Sequence, residues 1–409
     1  MARLTIAIMS DIHAGERNGE WTHVLSEPPV ARRGEQPLSD LTQLVEELQL
    51  QCDYLIAPGD IANQAEALGL SYGWRRAQAL ARQLQAKLIA VPGNHDVVSH
   101  SPASDPRALL KNLIPTFPTG DPALDDSFWA HGWAVIEEAD HRFLLIDSTA
   151  DFPPFPAHAS EGDAEWEEYM TTVDRGGFPE TMEDEIDAYL RSSTEKLNVA
   201  VVHHHPVEHQ LRSYLHDGYG PMRRGSDLID LLSRHPLAGR WIVIHGHKHI
   251  PQLVNAVSAS SNGPLVMCAA SLGAKLWSPV NTVTRNQFHF VDVIADSDPQ
   301  TPSIVGTVRS FTWGYGEGWH LSERTGAGLP GTSGFGCAED FRQVGDRLIQ
   351  HMDTDALEFV SYEELTAAVP QLPYMLPRDF THLEDHLEAR GFMFTRDRQQ
   401  QIVQLSRRT

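Results

Sequence analysis

Apolar runs of five or six residues, rich in Ile, Val and Leu, recur through the first 300 residues with helix-like stretches between them. They are Leu4–Met9, Asp53–Ala57, Lys87–Val91, Arg142–Ile146, Leu197–Val202 and Arg240–Ile244. Each is too short for a helix and reads as a buried strand. Between them, Ser39 has the character of an N-cap, and Leu41, Leu44, Val45 and Leu48 follow it at i, i+3, i+4 and i+7. Trp74–Ala86, Glu180–Glu195 and Ser226–Arg234 read as further helices. Strand–helix alternation predicts an α/β fold with central sheets. After His249 strands follow without helices: Leu265–Ala269, Gln287–Ile294 and Ser303–Ser310.

Two segments break the rhythm. Asp151–Phe178 carries Pro153, Pro154 and Pro156 before an acidic run, and is too long for an ordinary connection. Such an insertion is a lid, a substrate loop or plain surface. Thr312–Gly336 has eight glycines between Gly314 and Gly336 and reads as a linker. Helical patterns follow at Ala338–His351, Tyr362–Val369 and Thr381–Arg390. Gly391 then has the character of a C′ residue, and Phe392–Thr395 with Gln401–Leu405 suggests a hairpin. The expected organisation is a main domain over 1–310 with its insertion at 151–178, a linker over 311–337, and an α-rich, winged-helix-like module over 338–409.

Composition narrows the setting. At 409 residues the chain is long enough for two or three domains, and 41% hydrophobic with 21% charged residues is an ordinary globular mix. The formal net charge of −23 disfavours nucleic acid and anionic membranes as partners. Three scattered cysteines, Cys52, Cys268 and Cys337, make neither a disulfide framework nor a zinc-finger spacing. Leu4–Met9 is too short for a signal-peptide core, and no apolar run approaches the ~18 residues of a membrane span. A soluble cytoplasmic protein is the expectation.

Candidate chemistry lies where the predicted strands stop. The ends read Ser10-Asp11-Ile12-His13, Pro58-Gly59-Asp60, Pro92-Gly93-Asn94-His95-Asp96, His203-His204-His205-Pro206 and His245-Gly246-His247-Lys248-His249. Five strands of an α/β sheet thus deliver Asp, Asn and His from their carboxyl ends, where such folds place ligands. A single His or Asp after a strand is usually a turn residue or a satisfied polar group. Seven compatible ones at five strand ends are not explained that way. Oxygen and imidazole donors suit Mn, Fe or Zn, and with one shared carboxylate they can hold two ions about 3.5–4 Å apart. The glycines at 59, 93 and 246 allow sharp turns beside them.

The ordered set D-x-H, G-D, G-N-H-D, H-x-P and G-H-x-H resembles the calcineurin-like metallophosphoesterase family over roughly Leu4 to Ser310. The resemblance implies a four-layer α/β/β/α sandwich and metal-dependent hydrolysis of phosphoric esters. Asp11, His13 and His249 would hold the first of two divalent ions; Asn94, His204 and His247 the second; Asp60 would bridge them. His204 is selected because the family places this ligand two residues before the proline; His203 and His205 would then point elsewhere. His95 would be a catalytic proton donor or charge stabiliser beside the phosphoryl group.

Other residues admit plainer roles. Asp96 and Asp147 read as supporting acids or turn residues, and His100, His131, His141, His158 and His209 carry no motif. Arg212, Arg223 and Arg224 follow the histidine cluster and could pair a substrate phosphate, although a solvated loop explains them equally well. Lys248, between paired ligands, could reach a phosphate or face away. Trp313, Tyr315 and Trp319 suit interdomain packing. The motifs look most like the branch acting on cyclic nucleotides and glycerophosphodiesters, so a small phosphodiester or phosphomonoester is the expected substrate. A Mn-dependent DNA nuclease resembling the double-strand-break-repair branch is the alternative, and a non-catalytic scaffold the third reading. The C-terminal module would bind a protein partner or mediate oligomerisation.

Overall fold

The computed structural model describes residues 3–408 except 17–20, 27–31, 212–219, 236–237, 259–262, 297–302, 324–327, 355 and 399. Strands β1 (Arg3–Ile8), β2 (Tyr54–Ala57) and β3 (Lys87–Ala90) lie parallel, with Ile6 beside Tyr54 and Tyr54 beside Lys87. A second sheet follows: β4 (Trp133–Glu137), β5 (His141–Ile146), β6 (Leu197–Val201), β7 (Trp241–His245), β8 (Gln252–Asn255) and β9 (Leu265–Cys268), in the order β4-β5-β6-β7-β9-β8. The chain then returns to the first sheet, where β10 (Asn286–Asp296) runs antiparallel to β1. The five site-bearing strands therefore belong to two sheets, three in one and two in the other, rather than to one.

Period-two alternation builds the layers. Ile6 and Ile8 of β1 and Val199 and Val201 of β6 meet in one core between the sheets. Their neighbours face outward: Ala7 packs under the helices α1 (Pro37–Glu47) and α2 (Ala67–Gln83), and Ala200 under others at Glu180–Arg191 and Gly225–Arg234. The result is the expected α/β/β/α sandwich, in which strands buried on both faces carry no polar alternation. Helix α1 starts two residues earlier than Ser39 because Gln36 Oε1 accepts from Ser39 N at 2.8 Å and caps it.

The glycine-rich stretch does not behave as a linker. Strand β11 runs unbroken over Ser303–Gly314, β12 (Gly318–Leu321) folds back on it, and β13 (Thr332–Phe335) pairs its other side. Gly314 and Gly318 close a tight hairpin, and a side chain at Gly334 would collide with the Pro373 carbonyl. Trp313 and Trp319 sit buried against α1, donating to Asp40 Oδ2 and Pro37 O at 2.7 and 2.8 Å. Beyond Cys337 three helices (Phe341–Thr354, Tyr362–Ala368, Pro377–Glu388) and strands Phe359–Ser361, Phe392–Arg396 and Ile402–Arg407 enclose a separate core around Leu348, Leu365, Leu383 and Leu405. No helix among the described residues is long and apolar enough to cross a membrane.

Candidate metal centre

The motif loops converge above the carboxyl ends of β1, β2, β3, β6 and β7. His13 Nε2 lies 3.2 Å from His249 Nε2 and 3.6 Å from Asp60 Oδ2, and His249 Nε2 is 3.3 Å from Asp11 Oδ1. On the other side of Asp60, His203 Nε2 lies 3.3 Å from its Oδ2 and 3.1 Å from Asn94 Oδ1, which is 3.2 Å from His247 Nδ1. Asp11, His13, Asp60, Asn94 and His203 are buried, and His247 and His249 are partly buried. The ligand-type groups cluster as Asp11–His13–His249, His13–Asp60–His95, Asp11–Asp60–His203 and His203–His204–His247. Every predicted ligand is present in this one cluster, with Asp60 and Asn94 at its centre.

The triple histidine departs from expectation. His203 points into the site rather than away, because strand pairing ends at Val201 and the alternation of an extended chain no longer applies to 202–205. Its Nδ1 donates to Pro58 O at 2.7 Å, which fixes the ring and leaves Nε2 turned to Asp60 and Asn94, the arrangement of a metal-binding imidazole. A side chain at Gly59, whose φ is +94°, would overlap that ring. His204 is also in the cluster: its Nδ1 is paired with Ser148 Oγ at 2.7 Å, while its buried Nε2 has no hydrogen-bond partner. His205 is buried with its ring stacked 5.9 Å from that of His247.

The donor set fits divalent cations. Two nitrogens about 2.1 Å from one ion stand roughly 3.0–3.4 Å apart, and the facing His13 and His249 nitrogens do so. Asp11, His13, Asp60, His247 and His249 all adopt positive φ, between 49° and 71°. Non-glycine residues held there signal a backbone constrained for function. Burial, then the His95 charge, lowers the His13 imidazole to about 3, and burial likewise holds His204 and His247 well below the usual range, so these rings are neutral donors. Burial raises the Asp60 carboxyl, but the charges of His203 and then His95 outweigh it and hold it well below its usual value. Burial also lowers His203, yet the charge and hydrogen bond of Asp60 prevail and lift it to about 9.

Supporting residues hold the loops together. Asp96 accepts from Ala62 N at 2.8 Å and Gly93 N at 2.9 Å, clamping the Asn94 loop to the Asp60 loop. Asp96→Ala removes both acceptors and is expected to lower stability by about 2–4 kcal/mol and metal affinity by about 10–100-fold, read from urea midpoints and metal titration. Asp147 accepts from Thr149 and faces Arg107 Nε at 3.2 Å.

Two of the proposed phosphate-pairing arginines are engaged elsewhere. Arg223 donates to Gly176 O and Asp151 of the 151–178 insertion, and Arg224 to Asp227 and Glu183 of the neighbouring helices. Arg212 lies outside the described residues. Among the described residues, the lysines that line the site's cavity of about 510 Å³ are Lys248 and Lys275, with His95, Asp174, Trp21 and Trp277. Lys248 was legible from its motif; Lys275, Trp21 and Trp277 sit in irregular segments with no motif to mark them. The 151–178 insertion reaches the site through helix Ala164–Arg175 and through Phe152, whose ring stands 6.1 Å from that of His204.

Carboxylate, amide and imidazole groups are thus gathered at the strand ends of two sheets of an α/β/β/α sandwich, in an arrangement that could hold metal ions. The model of the calcineurin-like phosphoesterase family matches residues 4–251, more than half of the chain, and the protein belongs to that family. A second family model, wHTH-Calcineurin_assc, matches residues 333–389, in keeping with the winged-helix-like pattern of the C-terminal module. Among solved structures, the chain is similar to purple acid phosphatase PPD1 of yellow lupin (Lupinus luteus), with 14% identity, TM-score 0.44, and 78% of this chain and 52% of that one covered. It is also similar to a 5′-nucleotidase precursor of Thermus thermophilus (14%, TM-score 0.34, 72% and 52% covered). A third is the calcineurin-like phosphoesterase YfkN of Bacillus subtilis (12%, TM-score 0.36, 81% and 89% covered). The chain thus spans about half the length of the lupin and Thermus proteins. No curated protein matches it significantly.

Proposed function

We propose that the protein hydrolyses a small phosphodiester or phosphomonoester, of cyclic-nucleotide or glycerophosphodiester type, at a pair of divalent cations. Asp11, His13 and His249 would hold one ion, and Asn94, His203 and His247 the other, with His204 as a further donor to the second and Asp60 shared. The observation that carries this is the convergence of those side chains on both sides of one buried carboxylate. Bound there, two divalent ions supply Lewis acidity at phosphoryl oxygens and a water acidic enough to ionise near neutral pH. The chain supplies the rest. His95 packs edge-on to His13 at 4.8 Å and is held by its own N–H on Asp60 Oδ1 at 2.8 Å. From the cavity wall it would give a proton to the departing ester oxygen. Lys248 and Lys275 would lend positive potential to the substrate's phosphate.

The test is turnover. The metal-loaded protein is expected to hydrolyse a chromogenic phosphodiester, with kcat falling about 10²–10⁴-fold in His95→Gln at unchanged metal content. Equal kcat in the two proteins would remove His95 from the chemistry. Full activity in verified metal-free protein would overturn the assignment altogether.

Loading should also release a proton. Below about pH 9 the metal-free His203 carries one, and ligation requires the neutral ring. Metal affinity is therefore expected to rise about tenfold per pH unit up to that value and then to level off for this group. Calorimetry at pH 7.5 in buffers of different ionisation enthalpy would count the proton; a loading enthalpy independent of buffer would contradict His203 as a ligand.

The nuclease reading is disfavoured by the C-terminal module as well as by the whole-chain charge. Residues 338–409 hold eight arginines, no lysine and thirteen acidic residues, a net charge of −5. Arg347, Arg396 and Arg407 are paired with Glu339, Glu384 and Asp353. We assign this module to contacts with protein, either a partner or a second copy, and place its boundary with the main domain after strand β13.

A further inference from the structure

The segment 271–277 leaves the Asp11 loop and runs to the cavity mouth. Ser271 Oγ donates to Asp11 O at 2.8 Å, Leu272 N to Ser10 O at 2.8 Å and Gly273 N to Asp11 O at 3.2 Å. Farther out the same segment pairs with residues 21–23: His23 N donates to Gly273 O at 2.8 Å and Lys275 N to Trp21 O at 2.9 Å, around an antiparallel bridge between Thr22 and Ala274. Trp21 thus stands opposite Lys275, and Trp277 follows two residues on. All three line the cavity that also holds His13, Asp60 and His95.

The composition of this rim is unusual for the chain. Trp21 and Trp277 are 61% and 43% exposed, and none of the other seven tryptophans is exposed. The whole sequence holds five lysines within a net charge of −23, and two of them, Lys248 and Lys275, line this one cavity. Exposed indole surface at a cavity mouth offers flat apolar faces to a ligand. Trp21 is tied through its carbonyl to Lys275 N, and the segment that carries Lys275 and Trp277 is tied at residues 271–273 to the loop of Asp11, which places both indoles on the rim of the site. A solvated loop would need neither the indoles nor these ties.

We infer that this rim recognises the base of a nucleoside phosphoester. Trp21 and Trp277 stack on the purine or pyrimidine, and the two lysines attract the phosphate end. The inference rests on the hydrolytic reading above and narrows it: a glycerophosphodiester offers an aliphatic alcohol with no π face, whereas every nucleobase has one.

The test uses the full-length, metal-loaded protein with Trp21→Ala, Trp277→Ala and Trp277→Phe. Two ratios are read: kcat/KM for a cyclic mononucleotide over that for glycerophosphoethanolamine, and the affinity for AMP over that for inorganic phosphate. Each ratio is expected to fall about tenfold in the alanine variants and to be largely kept by Trp277→Phe. Ratios unchanged in both alanine variants would overturn the inference. The AMP-to-phosphate ratio needs no turnover. A wild type that hydrolyses no phosphoester would therefore sink the hydrolytic reading, while this ratio would still decide the role of the rim.

Discussion

Replacing Asp60 with asparagine is expected to lower phosphoesterase activity by more than about 10³-fold, beyond the 10²–10³ lost with a single electrostatic donor, and to abolish tight binding of at least one ion. Asp60 lies within reach of both halves of the site, 3.6 Å from His13 Nε2 and 3.3 Å from His203 Nε2. It also accepts the backbone N–H of His95 at 2.8 Å. The amide retains the shape of the carboxylate but loses its charge, leaving like-charged or lone-pair donors facing each other. The measurement is metal content by mass spectrometry alongside steady-state kinetics. Two retained ions and near-normal kcat would show that Asp60 is not shared between them.

The second large effect separates the neighbours His203 and His204. His203→Ala is expected to reduce metal content towards one ion per chain and activity by at least about 10²-fold. His204→Ala should weaken the second ion less, since His204 reaches the cluster beside His247 rather than between Asp60 and Asn94. The order is read by metal titration of the two variants. Loss of an ion in His204→Ala with both retained in His203→Ala would restore the choice made from the distance to Pro206.

The two neighbouring histidines show where the sequence was readable and where it was not. The side chains at 11, 13, 60, 94, 247 and 249, which the structure gathers in one cluster, stood out in the sequence because each follows a short buried strand and sits beside a glycine or a short fixed motif. His203 and His204 were not separable, since spacing to a proline says nothing about which ring turns inward once strand pairing ends at Val201. The existence of the strands was plain from their apolar runs, but their division between two sheets was not: a strand buried on both faces looks the same in either. Trp133–Glu137 went unnoticed as a strand, being half-exposed and short. The glycines of 314–336 signalled flexibility where they serve a tight hairpin and the close approach of Gly334 to Pro373. The expected hairpin at the C-terminus is present, with Phe394 opposite Leu405. Trp21, Lys275 and Trp277 reach the cavity only through tertiary pairing, which no local pattern encodes.

The most direct measurement is the metal stoichiometry of the reconstituted, desalted wild-type protein. Two divalent ions per chain are expected, falling when Asp60 or His203 is replaced. A wild-type sample that holds none, under conditions where it is folded and the histidines are neutral, would contradict a binuclear centre and with it the assignment of hydrolysis to these residues.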